Sequence, residues 1–427
     1  MRILEGLKAK AEVSRLAGRL NRLTDAESAV REIVDRVRQQ GDPVLRRFAK
    51  KWDGLGDKQP LRVSQGEMKA AWDSLPRSRH DDLRAALKLA ERNIRRFAEK
   101  QMPKEWMRKK GGASTGQIVR PLAAVGCYVP GGRYPLPSTL LMTVIPAQVA
   151  GVERICVVSP QPRIETLAAA AMLEVSEFYR VGGAQAVAAL AYGTKSIPRV
   201  NKIVGPGNFY VTAAKKLVAF DCGIDFLAGP TEAVVVSHSG RAEFIASDLV
   251  AQSEHDPEAT AVFITTSQAL AKKVAIETER LSQGNTLARQ ALHSHGSVLV
   301  AKSKAEAMTW ANEIASEHLT VDAGDLASVR NAGSVFIGDY SAQAAGDYVA
   351  GPNHVLPTAG TARCRGGLTV MDFLKVITVQ QLTPKGIRRL APAGIRLAEA
   401  EGLHAHAESL RVRVKYAKSP RPRSKRA

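Results

Sequence analysis

Apolar positions in the first hundred residues recur at helical spacing. Ala29, Val30, Ile33, Val34 and Val37 make one buried stripe that stops at Gly41. Thr24-Asp25-Ala26-Glu27 before it has the form of a capping box, in which Thr and the Glu three residues later satisfy each other's free backbone N–H groups. Asp42-Pro43 starts a second helix with a cap and a first-turn proline. Ser64-Gln65-Gly66-Glu67 repeats the capping pattern, and Leu83, Leu87, Ala90, Ile94 and Phe97 mark a longer helix that ends before Pro103.

From Ile118 the pattern changes to short β-branched runs separated by helical stretches. Strands are predicted over 123–129, 154–158, 177–181, 202–204, 233–236, 261–265, 297–300 and 334–337, with another starting at Leu319. Helices such as 139–149, 165–173, 184–192 and one from about Ala242 to Gln252-Ser253-Glu254-His255 lie between them. Strand and helix in alternation predict parallel sheets with right-handed crossovers. So many strands exceed one mononucleotide-binding half, which gives an α/β fold of two doubly wound, incomplete Rossmann-like parallel sheets divided near Gly229-Pro230. Small helical N- and C-terminal segments complete it, the latter broken by Pro384, Pro392 and Gly402 into pieces such as 388–390 and 395–400.

Length adds that 427 residues exceed one ordinary core. No apolar run approaches the roughly 18 residues of a membrane span, and the start lacks a signal peptide's apolar centre, so the expected location is cytoplasmic. Cys127, Cys156, Cys222 and Cys364 are scattered, which indicates neither a disulfide framework nor a thiolate zinc site. The net charge of +20 invites a nucleic-acid reading, but residues 411–427 alone contribute +8 with no acid. With Pro420 and Pro422 inside it, that stretch reads as a solvated, disordered basic tail, and nucleic acid is not the expected partner.

The candidate chemistry lies at element ends. Gln252 and His255, three apart, face the same way and can either share one ion or solvate a helix C-terminus. Val129-Pro130-Gly131-Gly132, Gly182-Gly183-Ala184-Gln185 and Gly205-Pro206-Gly207-Asn208 each follow a strand, and together they predict a ligand crevice at that edge. Glu317-His318 is either a proton-transfer pair or a surface pair at a helix end. Asp347 and His354 fall in a glycine-rich loop, and Glu401, His404 and His406 sit by a helix break where at most one imidazole is a ligand. His80, His238, His293 and His295 read as solvated. Gln252, His255, Asp347 and one of His404 or His406 thus offer oxygen and nitrogen donors without sulfur, a set suited to zinc or manganese with open positions.

Arg180-Val181-Gly182-Gly183-Ala184-Gln185-Ala186, Ile203-Val204-Gly205-Pro206-Gly207-Asn208, Ala228-Gly229-Pro230, Gln252-Ser253-Glu254-His255-Asp256, Glu317-His318-Leu319, Asn353-His354-Val355-Leu356-Pro357-Thr358 and Glu401-Gly402-Leu403 with His406 resemble the histidinol dehydrogenase family in order and spacing, from about Thr24 to Arg411. The resemblance implies a zinc enzyme that oxidises L-histidinol to L-histidine in two NAD-dependent steps through a bound aldehyde. It implies Gln252, His255, Asp347 and His406 as zinc ligands, His318 as the base and Glu317 as the activator of water. It further implies Tyr128, Gln185 and Asn208 as NAD contacts, and Thr231, His354 and Glu401, together with the zinc ligands and His318, around the substrate. A homodimer is implied whose C-terminal segment serves the partner's site.

The division expected from this is residues 22–127 with 234–368 as a first α/β domain carrying metal and catalytic residues, and 128–233 as a second on the NAD side. Residues 1–21 and 369–394 would form a small helical domain, and 395–427 an arm to the partner with a disordered basic tail from about 416. The chain departs from the family pattern at Thr231, where serine is usual, at Ser253, where alanine is common, and at Cys364-Arg365. These leave room for a relative acting on another polar alcohol, such as a sulfonated diol, whereas His354 and Glu401 suit an imidazole. A nucleic-acid-binding protein and a zinc hydrolase using Glu317 are the alternatives from other classes.

Overall fold

A computed structural model describes residues 1–19, 24–76, 82–131 and 134–418. The strands of its first half are β1 Arg2–Glu5, β2 Trp106–Lys110, β3 Ala113–Pro121, β4 Ala124–Tyr128, β5 Arg154–Val158, β6 Glu177–Tyr179 and β7 Lys202–Val204. Those that follow are β8 Gly223–Ile224, β9 Glu232–Val236, β10 Thr260–Thr265, β11 Ser297–Val300, β12 His318–Val321, β13 Ser334–Ile337 and β14 Leu374–Leu382. They form a five-stranded sheet ordered β6-β5-β4-β7-β8 and a six-stranded sheet ordered β1-β11-β10-β9-β12-β13, parallel in every pairing. Both sheets belong to one compact unit, Met1–Gln101 with Leu122–Phe373.

Every residue of β4 and β9 is buried, as a strand covered on both faces requires. In the larger sheet the pleat divides the core in two. Val234, Val236, Val262, Leu299 and Leu319 pack under Val13 and Leu16 of helix Gly6–Ala17 and Trp310 and Ile314 of helix Lys304–Ile314. Val235, Phe263 and Val298 pack on the other face under Ile245 and Leu249 of helix Ala242–Ser253 and Val274 of helix Gln268–Leu281. This is the doubly wound arrangement read from the alternation.

The division of the chain differs from the expectation at several places. Residues 1–17, expected in a small helical domain, supply β1 and a helix of the larger sheet: β1 pairs with β11, and Ala9, Val13 and Leu16 enter its core. Residues 24–53, expected with the metal-bearing sheet, cover the smaller one, since Val30, Val34, Val37, Leu45 and Phe48 share a core with Tyr128, Cys156 and Leu190. β4 also belongs to the smaller sheet, so the 127/128 boundary falls inside it. The Thr24-Asp25-Ala26 side chains and residues 419–427 lie outside the described residues, as does His80, whereas the Ser64–Glu67 capping box is formed.

The second unit, Met102–Pro121 with the chain from Leu374 onward, holds an antiparallel sheet ordered β14-β3-β2. None of its strands was expected: β2 and β14 are largely exposed and gather no apolar face, and β3 between them is mostly half-buried. The broken C-terminal pieces are one helix, Pro384–Ala400, with Pro392 inside it, so the 394/395 boundary falls within an element. A left-handed Gly402 turns the chain into helix His404–Lys418, which runs past the expected start of the tail at 416. No helix among the described residues is long and apolar enough to cross a membrane.

One buried ion pair fixes the turn after β7. Gly205 has φ +112°, and a Cβ there would lie 2.1 Å from the Tyr128 carbonyl oxygen. Lys215 Nζ donates to Asp225 Oδ1 at 2.7 Å and to the Gly205 carbonyl, while Asp225 Oδ2 accepts the Gly205 N–H at 2.8 Å. The Lys215 and Asp225 side chains are 3% and 1% exposed. Lys215→Ala would leave the carboxylate buried without its cation, at an expected loss of about 3–5 kcal/mol in urea unfolding. A loss under about 1 kcal/mol would mean that the pair does not hold this turn.

Candidate functional site

The three glycine turns meet. Tyr128, Pro130, Gly131, Gly183, Gln185 and Asn208 line one cavity of about 530 Å³ at the carboxyl edge of the smaller sheet. Gly182 and Asn208 precede helices Gly183–Tyr192 and Phe209–Val218, so both helix N-termini open there, an arrangement that favours anions. Asn208 Oδ1 accepts the Tyr210 and Val211 N–H groups, which leaves its amide nitrogen for a ligand. Tyr128 is buried, and its hydroxyl accepts the Gly183 N–H at 3.0 Å, so it shapes the turn as well as lining the cavity. Asp53, missed in the sequence, accepts both the Gly182 N–H and the Gln185 amide at 3.0 Å and orients the Gln185 side chain. Burial raises its pKa, opposed by those two hydrogen bonds. No local pattern marks it, because its partners lie 129 and 132 residues away.

The second cluster lies at the amino edge of the larger sheet. β9 and β12 are neighbours in register His318↔Ala233, so Glu317 lies beside the start of β9. Glu317 Oε2 accepts the Thr231 hydroxyl at 2.6 Å and the Glu232 N–H at 3.0 Å. Burial pushes the Glu317 carboxyl up to about 7, against the pull of His318 and these hydrogen bonds. His318 is not a surface residue: its side chain is 3% exposed, with Nε2 at 3.3 Å from Asp347 Oδ1 and Nδ1 at 3.7 Å from Glu317 Oε2. Burial opposes a charge on it, but the Glu317 and Asp347 carboxylates more than offset that and raise its pKa.

Asp347 sits on a short helix, Gln343–Tyr348, and not in the expected loop. Burial would raise its carboxyl, but His318, His354 and the Gln252 amide hold it below the usual range. Gln252 is buried, with Nε2 donating to Asp347 Oδ2 at 3.0 Å and Oε1 at 3.3 Å from the Thr231 hydroxyl. His354 Nδ1 donates to the Asp347 carbonyl at 2.7 Å, and burial lowers its pKa. His318, Asp347 and His354 line a cavity of about 400 Å³.

His255 follows the end of helix Ala242–Ser253, is exposed, and lines a cavity of about 470 Å³ with Tyr134 and Tyr348. It is close enough to His354 for its charge to lower that group's pKa. Glu401 and His406 belong to the second unit, exposed around the Gly402 turn. Asp248, one turn before Gln252, is pushed up to about 6 by burial and by Asp347. Among the described residues, the group of three His, Cys, Asp or Glu donor atoms lying within 4.8 Å of one another is a different one, His238, Asp322 and Asp325. His238 is therefore not solvated as expected; its side chain is 6% exposed.

The raised Glu317 pKa has a sign for stability. The folded chain keeps a proton that the unfolded chain releases, so stability falls as pH rises from 4.5, the ordinary value, to about 7, and the Glu317 contribution is level above that. The raised His318 acts in the same direction. Glu317→Gln should flatten part of this decline in urea melts taken across that range; parallel wild-type and variant curves would refute the raised pKa.

A family model described as histidinol dehydrogenase matches residues 18–414. A histidinol dehydrogenase of Methanothermobacter thermautotrophicus is 45% identical over 405 residues, covering 92% of this chain and 94% of that one. One from Thermus thermophilus is 47% identical over 397 residues, covering 91% and 94%. Among solved structures, histidinol dehydrogenase from Elizabethkingia anophelis superposes with a TM-score of 0.92 at 32% identity, covering 98% of this chain and 99% of that one. Fold, motif order and near full-length identity agree, and the chain belongs to the histidinol dehydrogenase family.

Proposed function

We propose that the chain oxidises L-histidinol to L-histidine in two NAD-dependent steps, holding the aldehyde between them, and that it works in the cytoplasm as a zinc-bearing homodimer. It is an oxidoreductase of histidine biosynthesis, from a family that depends on zinc and NAD. The observation that carries the site reading is the contact chain Thr231–Glu317–His318–Asp347–Gln252, which puts a base, a carboxylate of raised pKa and two oxygen donors in one buried line.

The donors fit zinc. Asp347 is held ionised, and the His255 ring has no hydrogen-bond partner among the described residues. A half-turn of the Gln252 amide would bring Oε1 beside Asp347 Oδ2, a contact between oxygens that a cation reconciles. The same rotation lets Nε2 donate to Thr231, whose own proton goes to Glu317. Gln252, His255 and Asp347 would hold the ion with His406 of the partner, which leaves positions for substrate. Bound zinc supplies a Lewis acid, and bound NAD the hydride acceptor.

The residues of the chain carry the proton steps. His318, between two carboxylates that stabilise its protonated form, takes the hydroxyl proton of the alcohol. Glu317, which gives up its proton around neutral pH, in its ionised form takes a proton from the water that adds to the aldehyde. Thr231 orients that carboxylate, and His354, its Nδ1 committed to a carbonyl, offers Nε2 to the substrate, with Glu401 of the partner subunit. The cavity lined by Tyr128, Gln185 and Asn208 is the NAD site. Four unpaired cysteines accord with a reducing compartment.

Zinc-loaded protein should reduce two NAD per L-histidinol. Glu317→Gln should lose about 10²–10⁴-fold in the full reaction while keeping a first-turnover burst of NADH, whereas His318→Gln loses the burst as well. Activity with a sulfonated diol and none with L-histidinol would refute the substrate.

Shared sites have their own test. His255→Ala and His406→Ala proteins are each expected to be inactive, and mixed dimers should recover activity because one composite site is intact. No recovery despite demonstrated subunit exchange would refute the sharing.

A further inference from the structure

The geometry points to a second metal site, made by His238, Asp322 and Asp325 at the carboxyl edge of the larger sheet, for a divalent transition-metal ion of the Mn²⁺ or Zn²⁺ class. It lies at the opposite end of β9 and β12 from Glu317 and His318 and does not depend on the reading of that cluster.

The pairing of β9 with β12 ends at Val236↔Val321, so the residues that follow are brought side by side. Ser237 Oγ donates to Asp322 Oδ1 at 2.8 Å and the His238 N–H donates to Asp322 Oδ2 at 3.1 Å, which fixes the backbone that carries the imidazole. Asp325 comes from the first turn of the 3₁₀ helix Ala323–Ser328. On the far side of the ring, the N–H of Thr266, just past β10, donates to Nδ1 at 3.3 Å, and the Thr266 hydroxyl lies 3.1 Å from the same nitrogen.

What remains is a mismatch. His238 Nε2 and Asp325 Oδ2 face each other at 3.7 Å, both shielded from solvent and both without a hydrogen-bond partner, on side chains only 6% and 13% exposed. Buried polar atoms are rarely left so. A proton on Nε2 reconciles them poorly, because 3.7 Å is beyond an N–H···O bond. The Thr266 N–H makes Nδ1 an acceptor and leaves the ring proton on Nε2; an ion would take the Nε2 lone pair as that proton moves to Nδ1, where the Thr266 hydroxyl at 3.1 Å can accept it in a hydrogen bond. A metal ion between them satisfies both atoms, with the Thr266 hydroxyl as the outer acceptor for the displaced ring proton.

One imidazole nitrogen and two carboxylates, with donor atoms within 4.8 Å of one another, suit a borderline divalent ion better than Mg²⁺ or Ca²⁺, which prefer all-oxygen sets. Burial keeps His238 neutral, as a ligand must be, against the pull of Asp322 and Asp325 and with the help of Lys304. Lys304 and the helix N-termini at this edge oppose a cation, and the two carboxylates are what offset them. The ion would tie the turn after β9 to the turn after β12.

The test uses the full chain already loaded with zinc, titrated with Mn²⁺ and followed by loss of the free Mn²⁺ signal in electron paramagnetic resonance. Wild type should take up one Mn²⁺ per chain at this site, and His238→Asn and Asp325→Asn should bind it about 10–100-fold more weakly. No uptake by wild type at millimolar Mn²⁺, or unchanged uptake in Asp325→Asn, overturns the site. Crystals of wild type soaked in Mn²⁺ decide it without a variant: an anomalous peak within bonding distance of His238 Nε2 and Asp325 Oδ2 is expected, and its absence there refutes the proposal.

Discussion

The parallel pairing of β9 with β12 is the constraint on which the rest of the site depends. It places the Glu232 N–H under the Glu317 carboxylate and sets His318 at the first position of its strand, facing Asp347. A slip of one residue would turn His318 to the opposite face and move Leu319 and Val321 out of the core they share with Trp310 and Ile314. The geometry of this cluster and the core packing are therefore set by the same register. Glu232 extends the constraint: its buried carboxylate pairs with Arg19 at 2.5 Å and accepts the Ala359 N–H at 2.8 Å. The N-terminal segment and the loop after His354 are thereby drawn to the start of β9 by charge-assisted hydrogen bonds.

Electrostatic balance follows from this crowding. Glu232 is neutralised by Arg19, but Glu317 has no cation of its own and is raised by burial and further by Glu232. His318 lies between Glu317 and Asp347 and can balance one of them. With both carboxylates ionised and the imidazole charged, the cluster keeps a net negative charge, and it welcomes a further cation or a cationic substrate amine. The same imbalance makes His318 a better proton acceptor than a buried imidazole alone, because each carboxylate stabilises the product of proton transfer.

Much of the fold was legible because parallel strands buried on both faces are near-continuous β-branched runs; β5, β7, β11 and β13 match their predicted bounds residue for residue. The antiparallel sheet was not, since Trp106–Lys110 and Leu374–Leu382 are largely exposed and lack an apolar face. β1 was missed for another reason. Arg2–Glu5 is an edge strand defined by Ser297–Val300, nearly three hundred residues away, and no local pattern encodes that partner. The site divides in the same way. Gly183, Gly205 and Asn208 are visible because a tight turn and a helix cap restrict residue type locally. Asp53 and His238 act through partners set by tertiary packing, and each reads in sequence as an ordinary polar residue at or near an element end.

The Tyr128–Gln185–Asn208 cavity and the Glu317–His318 cluster lie at opposite edges of their sheets, and helix direction gives those edges opposite charge. In a doubly wound sheet the helices run antiparallel to the strands, so N-termini gather at the carboxyl edge and C-termini at the amino edge. Around Tyr128, Gln185 and Asn208 the exposed ends are N-termini, whose partial positive charge suits the pyrophosphate of a dinucleotide. At the start of β9 and β12 the nearby ends are C-termini. Helix Ala242–Ser253 finishes with Gln252, and helix Lys304–Ile314 finishes at Ala315, whose left-handed φ of 52° turns the chain into Ser316-Glu317-His318. Their partial negative charge adds to that of Asp347 and Glu317 and favours a metal ion and a protonated imidazole. The proposed dinucleotide site thus has an edge that favours anions, and the proposed metal and substrate site an edge that favours cations. The glycine rule finds only the first, because helix C-termini that hold a cation have no comparable requirement for residue type.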